Sequence, residues 1–389
     1  MEKKIQLVIV SNLFSHHQKP VSDALFKLTD GQFAFVETRG LTEEQKALGY
    51  EAEISAPYLF RAYDGQAEHC RELIRSADAV VFGGAPESWI RERIRENKLI
   101  LRCSERPLKH GFEPAKFFPR LVRWHYWNPP GKPMVLLCAS AYAAGDYGRF
   151  GLFRKRCYRW GYFPPVKRYE DPDALTRGKD PARILWCGRF LHWKHPEDAL
   201  WAAKRLNEEG IRFSLDFVGT GALEKELCEL RDHLGLKDCV RFLGAMSPAA
   251  VREQMERAGI YLCCSDRQEG WGAVVNEAMN SACAVVCSDA VGAAPFLLRH
   301  RENGLIYPSG NVDVLTACLK ELLAAPTRQR ELGLAAYRTI TEEWNADTAA
   351  QRLLALTKRL LSGESAQQLF ASGPGSAAPQ LHDNWFIKE

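Results

Sequence analysis

The segment Ile260–Asp289, IYLCCSDRQEGWGAVVNEAMNSACAVVCSD, decides the fold. IYLCCS (260–265) and AVVCSD (284–289) are short apolar runs rich in aromatic or β-branched residues, and runs of that length bounded by turn signals read as strands buried on both faces. Between them the polar loop DRQEG gives way near Gly272 to a helical stretch. Strand, loop, helix and strand in about 30 residues make one βαβ unit, and βαβ units build parallel sheets.

The alternation extends both ways. Strands are predicted at 183–190 (RILWCGRF), 214–219 (SLDFVG) and 240–244 (VRFLG), and in the first half at 5–11, 33–38, 79–83, 99–104 and 134–140, with a helix starting near Pro20. Between the halves lies WGYFPPVKRYEDPDALTRGKDPAR (160–183), dense in Pro, Gly and Asp, which predicts a hinge near 165–182. A chain of 389 residues also exceeds what one core usually supports. The expectation is an α/β protein with two Rossmann-like, doubly wound domains, at 1–170 and 183–345. A helix at 345–362 closes the second half, and a flexible tail follows at 363–389. Ligands of such sheets bind beyond the carboxyl ends of the strands, so a cleft faced by the two domains is the expected site.

Composition narrows the function. Lys and Arg number 52 against 48 Asp and Glu, leaving +4, which argues against a dedicated nucleic-acid binder. The opening apolar run is too short for a signal sequence or membrane span, so a cytoplasmic protein is expected. Twelve scattered cysteines without a Cys-x-x-Cys pair read as reduced core thiols rather than a metal or disulfide framework.

Three segments carry candidate chemistry. In EGWGAVVNE (269–277) the helix start just after the Gly-Trp-Gly step suits a phosphate. Glu269 and Glu277 on either side of it can then accept hydrogen bonds from the hydroxyls of a sugar and a ribose. In ILWCGRFLHWKHPEDAL, Arg189 follows a strand and Lys194 precedes a helix opened by Pro196 and acids; two cations there can neutralise a departing diphosphate. FVGTGALEKEL resembles a dinucleotide loop, but Glu224 stands where a third glycine would fall. No Walker A loop is present.

Taken together, GRFLHWKHPEDAL, VGTGALEKEL, VRFLGAMS, SDRQEGWGAVVNEAM, VVCSDAVGAAPFL and NGLIYPSGN resemble, in order, the nucleotide-sugar domain of retaining GT-B glycosyltransferases of family 4, the glycosyl transferases group 1. The resemblance covers about residues 183–310. It implies that Arg189 and Lys194 bind the donor diphosphate, that Glu269 contacts the transferred sugar and that Glu277 holds the ribose. Gly188, Gly219, Gly221 and Leu243 would lie near the nucleotide, and backbone groups of Gly270, Trp271, Gly272, Ala273 and Val274 would line the sugar and phosphates of the donor, a UDP- or GDP-sugar, with no metal or other cofactor. It also implies front-face attack, the acceptor proton passing to a donor phosphate oxygen.

The first half departs from better-known members, which carry a Gly-Gly loop after the first strand; here the loop is SNLFSHHQKP. His16 and His17 therefore become candidates for contacting donor or acceptor, with Glu105 and Arg106 of CSERPLKHG, a segment resembling bacterial transferases that build cell-surface polysaccharide, capsule or exopolysaccharide. RFGLFRKRCYRWGYFPPVKRY (149–169) holds seven Lys or Arg, seven aromatics and no acid. It is expected to lie peripherally on the inner membrane surface, suiting a lipid-linked saccharide acceptor. The Asp171-Pro-Asp173 triplet reads as a turn. Two alternatives stay open: a nucleotide-sugar epimerase of the same fold, and a non-catalytic nucleotide-sugar-binding partner.

Overall fold

A computed structural model describes residues 4–41, 54–381 and 385–387. The chain divides into two compact units, one of Met1–Pro165 with Trp344–Leu381, the other of Val166–Glu343 with His382–Glu389. Among the described residues no helix is long and apolar enough to cross a membrane.

The first unit is built on a seven-stranded, all-parallel sheet of β1 (Leu7–Ser11), β2 (Phe33–Glu37), β3 (Leu59–Arg61), β4 (Ala79–Phe82), β5 (Leu99–Ser104), β6 (Met134–Cys138) and β7 (Cys157–Arg159), in the order β3-β2-β1-β4-β5-β6-β7. Strands β2, β4 and β6 are buried at every residue, as expected where helices cover both faces of a parallel sheet. The helices are α1 (Lys19–Leu28), α2 (Ala67–Ser76), α3 (Arg91–Arg95), α4 (Phe117–Trp127) and α5 (Ala143–Gly148).

The second unit repeats the plan with β8 (Asp180–Cys187), β9 (Ser214–Val218), β10 (Val240–Phe242), β11 (Ala258–Cys263), β12 (Ala284–Ser288) and β13 (Leu305–Tyr307), all parallel in the order β10-β9-β8-β11-β12-β13. Its helices are α6 (Pro172–Arg177), α7 (Pro196–Glu208), α8 (Glu224–His233), α9 (Pro248–Arg257), α10 (Ala273–Asn280), α11 (Ala294–Leu297), α12 (Val312–Ala324) and α13 (Pro326–Arg338). The core between sheet and helices holds Trp186, Phe190, Phe217 and Leu262, each at most 2 % exposed. In each unit the order reverses direction beside the first strand, between β1 and β4 and between β8 and β11. In open α/β sheets that switch point is where ligands bind.

Three expectations need correction. The helix at 345–362, α14 (Ala346–Leu361), does not close the second half; capped by Asn345, it packs on α1 in the first unit. The stretch beyond it, as far as Leu381, is not a free tail. Arg159 donates its backbone N–H to Ser376, Gly375 to Arg159 and Ala378 to Cys157, at 2.7–2.9 Å, so the chain returns antiparallel along β7 and covers a sheet edge that would otherwise be bare. The hinge segment is docked on the second unit: Lys167 and Tyr169 bind Glu256, and Asp171 caps α6 through the Ala174 N–H.

The basic aromatic stretch 149–169 is also corrected. Phe150, Phe153, Tyr158, Trp160 and Phe163 are all buried; they are core of the first unit, while Arg149, Arg154, Lys155, Lys167 and Arg168 are exposed.

Candidate active site

The loops at the carboxyl ends of β8, β9 and β10 are laced together before any ligand is considered. Gly188 donates to the Val218 carbonyl, Gly219 to Gly244, Phe190 to Thr220 and Leu243 to Phe217, at 2.8–3.0 Å. Gly219, at φ +133°, and Gly221 are required by this lacing: a Cβ on Gly219 would sit 1.9 Å from the Gly188 oxygen, and one on Gly221 2.6 Å from the Phe190 oxygen. The glycines expected to admit a nucleotide thus first admit neighbouring backbone.

At the switch point, the loop after β8 meets the loop after β11 through the Asp266 N–H, which donates to the Trp193 carbonyl at 2.8 Å, and through two side-chain links. Lys194 pairs with Glu269, both side chains about 15 % exposed. Beside it His195, left-handed at φ 44° and the cap of α7, offers Nδ1 to Glu197 at 2.9 Å and Nε2 to Asp266 at 3.3 Å. Arg189 is exposed at the end of β8. The strand ends therefore bring together Gly188, Arg189, Gly219, Gly221, Leu243 and the Glu269 loop on four adjacent strands.

Helix α10 opens at Gly272, left-handed at φ 87°, where a Cβ would meet Val291 at 2.8 Å. Glycine brings no side chain to cap the helix, so its first N–H groups, at Ala273 and Val274, have no partner inside the helix and suit an anion. Gly270 is buried in the turn that precedes it. The Trp271 side chain is 1 % exposed and donates Nε1–H to Asn276 at 2.8 Å; it pins the turn from below, so only backbone of this residue is left to face a donor. Glu277 lies one turn into α10, and burial pushes its carboxyl above the usual range, with Arg252 opposing.

In the first unit His16 and His17 follow β1, their rings 3.9 Å apart, and His17 stacks on Tyr162 at 6.2 Å. Tyr162 donates to Glu105 at 2.6 Å, and Lys109 pairs with the same carboxylate. Burial, then the charge of His16, lowers His17 to about 4, so it is a neutral ring at neutral pH. Arg106 is not part of this cluster: it is buried, pairs with Asp146 at 3.4 Å and lies over Tyr142 at 4.6 Å. Its role is to hold α5.

Residues 167–339, nearly all of the second unit, match the family model described as glycosyl transferases group 1. The chain carries a group 1 glycosyltransferase domain. It is 29 % identical over 207 residues to the amylovoran biosynthesis glycosyltransferase AmsK of Erwinia amylovora, covering 52 % of this chain and 50 % of that protein. It is 28 % identical over 195 residues to a GDP-mannose-dependent α-(1-6)-phosphatidylinositol monomannoside mannosyltransferase of Mycobacterium tuberculosis, covering 49 % and 50 %. The match thus spans about half the length of these curated relatives. The crystal structure of Anabaena HepE in complex with UDP superimposes with a TM-score of 0.68 at 14 % identity, over 91 % of this chain and all of that one. This chain has the GT-B fold, two Rossmann-like units.

Spacing alone missed His195 and Asp266, which stand 71 residues apart. The only sequence signal was a His directly before Pro-Glu-Asp at a helix start. Hydrogen bonding to Glu197 first, then to Asp266, raises His195 to about 9 against the opposing effect of burial, so it is an imidazolium at neutral pH. His195, Glu197 and Asp198 also offer ligand atoms that lie within 4.8 Å of one another.

The sign of the linkage follows from the raised value. The clamp is fully present below the unfolded histidine value of about 6.5 and is lost as pH rises through about 9. His195→Gln should cost about 1–2 kcal/mol at pH 6, after discounting for partial exposure. The difference from wild type should shrink by pH 9.5, read by urea unfolding at both pH values. A pH-independent difference would show that the imidazolium charge is not what joins the loops.

Proposed function

We propose that this chain transfers a sugar from a nucleotide-diphosphate sugar to a saccharide acceptor, with retention of configuration, in polysaccharide or glycolipid synthesis. The observation that carries the reading is the Lys194–Glu269 contact at the switch point of the second unit, beside the glycine-opened N-terminus of α10. The donor diphosphate takes the place of Glu269 as partner of Lys194, with Arg189 as the second cation. Glu269, released from Lys194, accepts hydrogen bonds from the sugar, and Glu277 accepts one from the ribose.

Charge developing on the leaving diphosphate is met by fixed cations and helix N–H groups rather than by a nucleophilic side chain. With that charge supplied by Arg189 and Lys194, activity should survive a chelator. The reading for the base stays at UDP or GDP, in keeping with the UDP bound to HepE and the GDP-mannose named for the mycobacterial relative. The acceptor is lipid-linked and the enzyme works peripherally at the cytoplasmic face of the membrane. His16, His17, Tyr162 and Glu105 form the first unit's own polar cluster for donor or acceptor.

A panel of UDP- and GDP-sugars in thermal unfolding tests the donor, since a ligand at about a hundredfold its Kd adds about 2.7 kcal/mol of stability. One nucleotide sugar should raise Tm by several degrees, and the same compound should donate label to a glycan acceptor. A flat response across both series would refute the reading; isomerised donor without transfer would mark an epimerase.

A further inference from the structure

Helix α4 has the sequence FFPRLVRWHYW, with no acid and no fully buried residue. Its inner face is fixed: Phe117 stacks on Phe150 at 5.1 Å, Trp124 lies 4.4 Å from Phe150 and 5.1 Å from Tyr147, and the His125 ring meets the Phe150 carbonyl at 2.8 Å. Its outer face is a stripe of apolar side chains left in water. Phe118 is 73 % exposed, Val122 68 % and Tyr126 63 %. Spaced by four residues, successive members are rotated by only about 40° around the helix, so they form one ridge. Phe112, 42 % exposed, lies just ahead of the helix.

The cations beside the ridge outnumber the acids they pair with. Lys116 and Arg123 are 60 % and 69 % exposed, with Arg120 between them. Glu113 pairs with Lys116 at 2.6 Å and Arg120 at 3.0 Å, and Glu87 reaches Arg123 at 3.8 Å. From Lys109 to Trp127 there are four Lys or Arg and one acid. Mixed aromatic and aliphatic residues flanked by cations, on a short helix that offers no groove, fit the headgroup layer of an anionic bilayer. A second copy of the chain fits worse, because like charge would face like charge.

We infer that α4 is a membrane-docking helix: Phe118, Val122 and Tyr126 enter the acyl boundary of an anionic lipid surface while Lys116, Arg120 and Arg123 meet its phosphates. This assigns membrane contact to a ridge distinct from the 149–169 stretch, whose aromatics are buried. It rests on the proposed membrane-side function only for its biological sense, since binding to bare lipid is measured without donor or acceptor.

The test is co-sedimentation of the full chain with vesicles of phosphatidylcholine, alone or containing phosphatidylglycerol. The wild type should pellet with the anionic vesicles and not with the neutral ones. Phe118→Glu with Val122→Glu should lower partitioning about tenfold or more. Arg120→Gln with Arg123→Gln should lower it and flatten its salt dependence. Donor-induced thermal shifts should be unchanged in both variants, separating loss of docking from loss of fold or donor site. Equal binding by wild type and the Phe118/Val122 variant, or no binding by the wild type, would overturn the assignment. So would a wild-type dimer in solution that this variant dissociates.

Discussion

Lys194→Ala is expected to lower kcat by about a hundredfold to a thousandfold, with a smaller rise in KM for the donor. The split follows from the geometry. In the unliganded chain the ammonium is already satisfied by Glu269, so binding a diphosphate exchanges one anionic partner for another and gains little. Once the bond to the sugar breaks, the diphosphate carries more charge than a carboxylate, and the cation's contribution grows in the transition state. Removing it also strands Glu269, about 15 % exposed, which costs stability as an uncompensated partly buried charge. Glu269→Gln separates the two effects by keeping the shape and removing the charge. The double variant should be far from additive, because the residues act as one unit. Steady-state kinetics with matched unfolding curves read both, and a kcat within about threefold of wild type would remove Lys194 from the catalytic group.

Gly219→Ala should be the most damaging small substitution in the second unit. Its Cβ would lie 1.9 Å from the Gly188 oxygen and 2.9 Å from the Gly188 carbon, and φ is +133°. The obstacle is backbone, so no rotamer change relieves it. The loops after β8 and β9 must part, breaking the Gly188–Val218 and Phe190–Thr220 hydrogen bonds. A loss of about 3 kcal/mol or more is expected from overpacking with strained backbone, together with loss of donor binding. Gly145→Ala is the control: it lies in α5 with nothing within 4 Å of the added carbon, and should be neutral or add about 0.5–1 kcal/mol. Urea midpoints of the two variants check the contrast; equal midpoints would mean the loops have slack that the packing does not suggest.

Much of this site was legible because chemistry and architecture coincide in local sequence. Apolar runs marked ten of the thirteen strands; β3, β7 and β13, each of three residues, were missed. The loops after β8, β9 and β11 followed directly, and with them Arg189, Lys194, the glycines and Glu269. What could not be read was direction. Arg106 was a candidate contact because it sits in a strand-end loop, yet its side chain turns inward to Asp146, as the Trp271 ring turns to Asn276. In the 149–169 stretch, composition gave the aromatics and cations, but not that the rings point into the core. The same ambiguity hid α4, whose ridge is defined by which side of the helix found partners in Phe150 and Tyr147. His195 needed Asp266, which only folding brings near.

The antiparallel return of residues 375–378 along β7 and the packing of α14 on α1 have a consequence in time. A ribosome releases Val166–Glu343, the larger segment of the second unit, before it makes either piece. The first unit, although begun first, waits with one strand edge uncovered and α1 lacking its neighbour until Trp344–Leu381 emerges. The second unit's sheet and helices are complete by Glu343. The second sheet and its helices can therefore be in place before the first unit is closed, and the last-made segment of the first unit is the one that closes it.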